Sequence, residues 1–269
     1  MSTLFQNKQS TTQPEESKKR FVELDFVKGL AVIGMVIFHF FYVGYLYGYD
    51  YNVSGGWLYP LAKFAHTSFI TIVGINIVLS FTKWFYKVQQ KMTYYRRQIV
   101  RSLKLFIAAM IVTLYTKQEF PDRYVRFGIF HFISVVSVAS LLINWSQVAI
   151  VITLIATLLL NQYKDKYSHQ LQCWNHPNLC SILGVQQMYG AIDHFSILSK
   201  LPFVLIGMLL GKNLYKDNQY RFEWQESIRQ FLESHKITRV ISEIGKWSLP
   251  IYFIHFALFI IWYKCVGRS

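Results

Sequence analysis

The sequence predicts an all-α polytopic membrane protein, a bundle of about seven transmembrane helices. Of its 269 residues, 53% are hydrophobic and 17% aromatic, while only 16% are charged. Together with a mean hydropathy of +0.25, this composition is too apolar for an ordinary soluble domain. Apolar runs also recur along the chain at nearly the length that crosses a bilayer, which is roughly 20 residues of helix. Composition and spacing therefore indicate the same fold class.

Seven apolar runs form the predicted spans. They are Leu24–Tyr45, Leu58–Phe81, Ile99–Tyr115, Phe127–Ile143, Val148–Leu160, Phe195–Leu214 and Leu249–Tyr263. The fifth run needs its flanking residues to reach across, because a helix of its length extends only about 20 Å. The order of the runs predicts one membrane domain over residues 20–269.

The polar segment before the first span, residues 1–19, is predicted to be a disordered cytosolic tail. It has no charged region followed by an apolar core and a small-residue cleavage site. A signal peptide needs that order of features. We therefore expect the first span to be retained.

The positive charges sort by loop. The formal net charge is +14, and 19 of the 28 Lys and Arg fall on one side of the bilayer if the N-terminus is cytosolic. This asymmetry satisfies the positive-inside rule, so we expect a cytosolic N-terminus, an external C-terminus and a location in the cell membrane. The basic charge is explained by topology and by attraction to anionic lipid, and we expect no nucleic-acid partner.

Two predicted segments lie outside the bilayer. The cytosolic segment 217–246 places Trp224, Ile228 and Phe231 at helical spacing among charges, which predicts an amphipathic helix on the membrane surface. The external loop 161–193 holds Cys173 and Cys180. A disulfide is one interpretation of this pair, a metal site including His176 is a second, and free thiols are a third. We expect no metal cofactor.

Ionisable residues at membrane depth are the first candidates for a catalytic site, because a charge there is costly unless it has a partner or faces water. His39 lies in the outer half of the first span, His131 near the outer end of the fourth, and Asp193 at the outer mouth of the sixth. A histidine beside a carboxylate can act as a general base on a hydroxyl or amine. A hydrogen bond between packed helices is the alternative role for each histidine.

A basic cluster on the cytosolic side is the candidate cofactor site. Lys28 lies just inside the first span, and Arg97 and Arg101 lead into the third. Arginine can bind phosphate through paired donors, so these residues match a polyanion such as coenzyme A. Anchoring by the positive-inside rule is the alternative interpretation.

Several short motifs resemble a known family in the same order along the chain. They are Arg20-x-x-Glu23-Leu24-Asp25-Phe26-x-Lys28-Gly29-Leu30-Ala31 with His39, Phe69-Ile70-x-x-x-Gly74-Ile75, Phe127-Gly128-Ile129-Phe130-His131, Asp193-His194-Phe195, and Ser248-Leu249-x-Ile251-Tyr252-x-x-His255. The first four are similar to motifs of the heparan-α-glucosaminide N-acetyltransferase catalytic-domain family. The last resembles the closing motif of related membrane acyltransferases.

The resemblance implies a multispan acyltransferase with a catalytic histidine. Its donor is acetyl-CoA or another acyl-CoA on the cytosolic side, and its acceptor is an amine or hydroxyl of a sugar or glycan at the opposite face. His39 matches the first-helix histidine of many bacterial members. Lys28 stands where the family usually has Arg.

Other function classes stay open on the sequence alone. The main alternative is a transporter or flippase-like carrier, although no inverted repeat is visible in the sequence. A structural scaffold is a further alternative, but it assigns no purpose to the buried histidines. The oligomeric state is also open, a homo-oligomer included.

Overall fold

The computed structural model describes residues 20–87, 89–167, 177–185 and 192–266, and these residues are mostly helical. The helices are α1 (Val22–Leu46), α2 (Leu58–Phe81), α3 (Lys91–Glu119), α4 (Ile129–Ala139), α5 (Gln147–Tyr167), α6 (Pro177–Leu183), α7 (Ile197–Leu214), α8 (Glu223–Ser234), α9 (Lys236–Lys246) and α10 (Ser248–Val266). A short hairpin of β1 (Tyr215–Lys216) and β2 (Gln219–Tyr220) joins α7 to α8. The predicted tail, residues 1–19, lies outside the described residues.

Six of these helices are long and apolar enough to cross a membrane, namely α1, α2, α3, α5, α7 and α10. The all-α bundle predicted from the sequence is confirmed, but the count of seven spans is not. The predicted fourth span, Phe127–Ile143, is a shorter apolar element that comprises α4 and a 3-10 turn, Ser140–Leu142. Most of α4 is buried among other helices, so its apolar residues reflect burial within protein.

The external loop predicted at 161–193 is only partly described. Its first residues continue α5 as far as Tyr167, and α6 follows later in the loop. Cys180 in α6 has a disulfide bond. Cys173 and His176 lie outside the described residues, so the interpretation of the pair as a disulfide stays a prediction. Among the described residues, no group of three or more His, Cys, Asp or Glu side chains could hold a metal ion.

The centre of the bundle is the contact between α2 and α7. Its buried core includes Ile70 and Val78 of α2, Val204 and Met208 of α7, and Phe132 of α4. Small residues allow this close approach of backbones, as is typical of helices that pack within membranes.

Two glycines set the distance between α2 and α7. A Cβ atom on Gly74 would overlap the carbonyl oxygen of Val204, and one on Gly207 would overlap the carbonyl oxygen of Thr71. Backbone atoms cannot move aside as a flexible side chain can. The two helices therefore can pack at this distance only with glycine at both positions.

We expect Gly74→Ala to destabilise the bundle by about 1–3 kcal/mol, the usual cost of overpacking, and to lower the midpoint of thermal unfolding in detergent. The matched control is Gly34→Ala, where the nearest atom to the new Cβ would be the end of the Leu61 side chain, at 3.1 Å, and no backbone atom would be as close. Leu61 can shift, so we expect a smaller change. Equal midpoints for the two variants would contradict the proposed backbone contact.

The surfaces of α3 and α5 identify the side of the bundle that faces lipid. Each helix exposes a row of large apolar side chains: Leu103, Ile107, Ile111 and Leu114 in α3, and Val148, Ile152, Ile155 and Leu159 in α5. A monomeric soluble protein rarely exposes apolar surface of this extent. These rows are therefore expected to contact the hydrocarbon chains of the membrane lipids.

The predicted amphipathic segment 217–246 contains two helices. The turn residues of the β hairpin, Asp217 and Asn218, both have positive φ, as a type I′ turn requires. After the hairpin, α8 and α9 are separated at His235, which has an extended backbone. Both helices pack against α1. Glu23 near the start of α1 accepts hydrogen bonds from the hydroxyls of Tyr215 (2.7 Å) and Tyr220 (2.8 Å), which fixes the hairpin against the bundle.

A very close crossing joins α1 to α9. A Cβ atom on Gly29 would overlap the carbonyl oxygen of Ile241, and one on Gly245 would overlap that of Asp25. Because Gly245 and Lys246 also line a cavity described below, α9 forms part of a site as well as part of the surface.

Candidate functional site

A large cavity opens among α1, α3, α9 and α10, and we call it the basic cavity. Its volume is about 850 Å³. Seven basic side chains line it: Arg20, Lys28, Arg96, Arg97, Arg101, Lys104 and Lys246. Asp25 is the one acidic residue among the lining residues described. This excess of positive charge suits a polyanion with several phosphate groups.

The three residues predicted to bind the cofactor, Lys28, Arg97 and Arg101, all line this cavity. Helical spacing explains part of this convergence, since residues three and four apart lie on one face of a helix. Arg97, Arg101 and Lys104 have this spacing on α3. The predicted cytosolic cluster is therefore one surface.

The basic side chains differ in how far their charge is already compensated. Asp25 accepts a hydrogen bond from the Lys28 ammonium at 3.0 Å, and its second oxygen lies 3.8 Å from Arg20 Nε. The guanidinium of Arg97 lies 3.7 Å from the centre of the Trp84 ring, a cation–π contact. Within the described part of the chain, Arg97 and Arg101 form no ion pair. They remain available to an anionic ligand.

A second, smaller cavity lies deeper along α1, and we call it the histidine cavity. Its volume is about 250 Å³. Its ionisable lining consists of His39, Tyr42, His66, Asp193, His194, Lys200 and Tyr252. His39 follows Lys28 by 11 residues, which corresponds to about 16 Å along the helix axis.

The two cavities meet at Phe69. This side chain lines both of them. Two pairs of consecutive residues also divide between the cavities. Phe130 and Phe253 line the basic cavity, whereas Ile129 and Tyr252 line the histidine cavity. An aromatic wall therefore separates a site for an anion from a site rich in histidine.

Asp193 is held at the wall of the histidine cavity. Its carboxylate accepts a hydrogen bond from the Tyr252 hydroxyl at 3.0 Å and another from the backbone N–H of Ile129, the first residue of α4. Burial raises the pKa of this carboxyl, while the two hydrogen bonds lower it. Asp193 has a positive φ of 50°, a conformation that residues other than glycine adopt infrequently.

His39 and His255 form a buried pair between α1 and α10. His39 Nδ1 lies 2.8 Å from His255 Nε2, and His255 Nδ1 lies 2.8 Å from the carbonyl oxygen of Ile251. The two side chains belong to residues that are 9% and 5% exposed. His39 still lines the histidine cavity.

Two further histidines line the same cavity. The Lys200 ammonium lies 3.1 Å from His66 Nε2 and donates to it. His194 Nε2 lies 3.0 Å from the carbonyl oxygen of Ser181 and therefore carries the proton that bonds to it. Burial lowers the pKa of His194, and the hydrogen bond to Ser181 raises it. Lys200 and the carboxylate of Asp193 thus bring opposite charges to one cavity.

His131 lies elsewhere. Its Nδ1 accepts a hydrogen bond from the backbone N–H of Gly128 at 3.3 Å, and its ring packs against Phe106 and Phe127. It is not among the described residues that line the histidine cavity. This geometry gives His131 a capping role at the start of α4, and a catalytic role for it stays a prediction.

Sequence reasoning assigned no catalytic part to Tyr252 and Lys200. The signal for Tyr252 was present, because Tyr252 and His255 are three residues apart and so share one face of α10. Lys200 lies inside a predicted span, only a few residues from its outer end. A lysine at such a position is normally explained by a side chain that extends to the membrane interface.

The fold and the two cavities define the class of this molecule: a polytopic membrane protein whose helices enclose a basic site and a histidine site that share one wall. A comparison with family models makes the class specific. The model described as heparan-alpha-glucosaminide N-acetyltransferase, catalytic, matches residues 20–257. The chain therefore belongs to that family, and membership indicates a transferase. No curated protein and no solved structure match the chain.

Proposed function

We propose that this protein transfers an acyl group, such as acetyl, from cytosolic acyl-CoA to an amine or hydroxyl of a sugar or glycan on the opposite side of the membrane. Family membership supports acetyl transfer. The observation that carries the proposal is the shared wall at Phe69, because it allows the reactive end of a donor in the basic cavity to approach His39.

In this proposal the basic cavity holds coenzyme A by its phosphates. Arg97 and Arg101 supply paired donors, and Lys28 adds a third positive charge beside Asp25. The aromatic end of the cavity, at Phe69, Phe130 and Phe253, suits the apolar part of the donor chain that ends in the thioester. The donor thus lies with its charge toward the cytosol.

The acceptor occupies the histidine cavity, where His39 Nε2 is the proposed base. As the acceptor nitrogen or oxygen attacks the thioester carbon, Nε2 takes the proton that the acceptor loses. Collapse of the tetrahedral intermediate breaks the carbon–sulfur bond and expels the coenzyme A thiolate. That thiolate takes the proton back from the imidazolium, so the products are the acylated sugar and free coenzyme A.

Asp193 orients the acceptor in this scheme. Its carboxylate already accepts hydrogen bonds from Tyr252 and from the backbone of Ile129, so it is less free than His39 to take a proton. A carboxylate has further acceptor sites, and a sugar hydroxyl can donate to one of them.

The experiment that tests the function uses purified protein, radiolabelled acetyl-CoA and a panel of amino sugars. We expect an acetylated sugar and an equal amount of free coenzyme A thiol, both absent without protein. The His39→Asn variant serves as the matched control. Binding of coenzyme A without transfer to any acceptor would contradict the proposal, and sugar transport without acylation would favour the carrier alternative.

The direction of the reaction depends on topology, and single-cysteine labelling tests it. In a Cys265→Ser background, which removes the exposed free thiol, we introduce Asn52→Cys or Lys91→Cys. Both positions are exposed. We expect an impermeant thiol reagent applied to intact cells to label position 52 but not position 91, whereas cell lysis exposes both. The reverse pattern would invert the assigned donor and acceptor sides.

A further inference from the structure

The hydrogen bonds around His255 determine which nitrogen of His39 carries a proton. The carbonyl oxygen of Ile251 only accepts, so His255 Nδ1, at 2.8 Å from it, is the protonated nitrogen. In a neutral ring the other nitrogen, Nε2, is then bare and accepts. Its partner at 2.8 Å is His39 Nδ1, which must donate. A neutral His39 that donates through Nδ1 has an unprotonated Nε2.

Both rings are neutral in the resting protein. They lie between two helices at membrane depth, and an uncompensated charge there is costly. Asp193 is the nearby carboxylate, and its described hydrogen bonds go to Tyr252 and to the backbone of Ile129. It does not bond to either histidine.

The surrounding aromatic side chains hold the pair in this orientation. Phe256 packs edge-on against His39 at 5.6 Å between ring centres, Phe259 packs edge-on against His255 at 5.7 Å, and Tyr252 lies within 6.2 Å of both. These edge-on contacts favour the observed orientation of the two rings. His39 Nε2 has no hydrogen-bond partner within the described part of the chain.

We propose that His255 is a positioning residue for the transfer reaction: it holds His39 in the tautomer whose Nε2 can accept the acceptor's proton. The inference rests on the proposed function, in which His39 is the base. The hydrogen bond between His39 and His255 has a second effect. When Nε2 takes the proton, the Nδ1–H bond to His255 becomes a bond from a cation, and such bonds are about twice as strong as neutral ones. The stabilisation therefore increases as the reaction proceeds.

Two substitutions separate this role from simple packing. In His255→Gln the amide oxygen can still accept from His39 Nδ1–H, whereas in His255→Leu no acceptor remains. We expect the Gln variant to keep turnover within about 3-fold of the parent. We expect the Leu variant to lose about 10-fold in kcat, the magnitude of one buried hydrogen bond left unmade, with little change in donor KM. His235→Leu, at an exposed histidine, is the matched control.

The tautomer itself can be measured without turnover. Two-bond ¹⁵N–¹H correlation spectra of protein labelled at histidine nitrogen distinguish a ring protonated at Nδ1 from one protonated at Nε2, and comparison with His39→Asn assigns the signals. We expect Nδ1 protonation of His39 in the parent and the Gln variant, and a shift toward Nε2 protonation in the Leu variant.

The outcomes are distinguishable. Nε2 protonation of His39 in the parent protein would overturn the inference, even if the Leu variant failed to fold. An unchanged tautomer in a folded Leu variant would overturn it as well, as would equal turnover of the Gln and Leu variants. If the tautomer changes as expected but the parent transfers no acyl group, the hydrogen-bond assignment is supported and the proposed function is the part that fails.

Discussion

We expect His39→Asn to reduce kcat for acyl transfer by about 10²- to 10⁴-fold, because a positioned general base typically contributes that factor. Asparagine retains hydrogen bonding but cannot take a proton near neutral pH. Single-turnover assays with a saturating sugar measure the loss directly. Donor binding should be nearly unchanged, since His39 lies across the Phe69 wall from the basic cavity.

The control for this variant is His235→Asn, which changes a histidine that is exposed on the loop between α8 and α9. It should leave kcat and KM close to those of the parent. If His39→Asn retained near-normal turnover, the His39–His255 pair would be a contact between helices only, and the base would have to be sought among the other residues of the histidine cavity.

The second large effect concerns the donor. We expect Arg97→Ala combined with Arg101→Ala to weaken coenzyme A binding about 100-fold, since each hydrogen bond to a charged group contributes about 1.5–3 kcal/mol and the exposed position favours the lower value. Equilibrium binding at several salt concentrations is the measurement. The difference from the parent should shrink as salt rises, because solvent-accessible charges are screened.

A matched control removes the same charge elsewhere on the cytosolic side of the proposed topology. Arg221→Ala with Arg239→Ala also lowers the net charge by two, but neither residue lines the basic cavity. This control should bind coenzyme A with nearly the affinity of the parent. Equal weakening in both double variants would show that overall charge matters and that the two α3 arginines have no specific contact.

The parts of the site that follow from local periodicity could be predicted from the sequence. The convergence of Arg97 and Arg101 requires only helical spacing and the positive-inside rule. The candidacy of His39 requires only its depth within one apolar run. Each of these features depends on a single helix, so the sequence around the residue contains the needed information.

Features that join distant helices could not be predicted in this way. Tyr252 reaches Asp193 across 59 positions, and His255 reaches His39 across 216. No periodicity encodes such pairings, which depend on the packing of several helices. His131 illustrates a different limit, because its contact is local. Its bond to Gly128 is a local cap that only backbone geometry reveals, and its catalytic role stays a prediction.

The predicted count of seven spans is not confirmed, for a related reason. An apolar run such as Phe127–Ile143 has the same composition whether lipid or protein surrounds it. In this fold α4 ends at Ala139, and Phe132 within it is completely buried in the α2–α7 core. The segment 217–246 differs from its prediction for another local reason: the extended backbone at His235 divides it into two helices, although neither Gly nor Pro stands there.

The pairing of the first and last long helices has a consequence for how the protein is made. At roughly 5–20 residues per second, the ribosome needs about 10–40 s to synthesise the 216 residues between His39 and His255. During that interval α1 is already in the membrane with an imidazole that has no helix α10 to meet. A nascent chain that stops before α10 therefore carries an unsatisfied polar group at membrane depth. That group gains its hydrogen-bond partner only when α10 packs against α1.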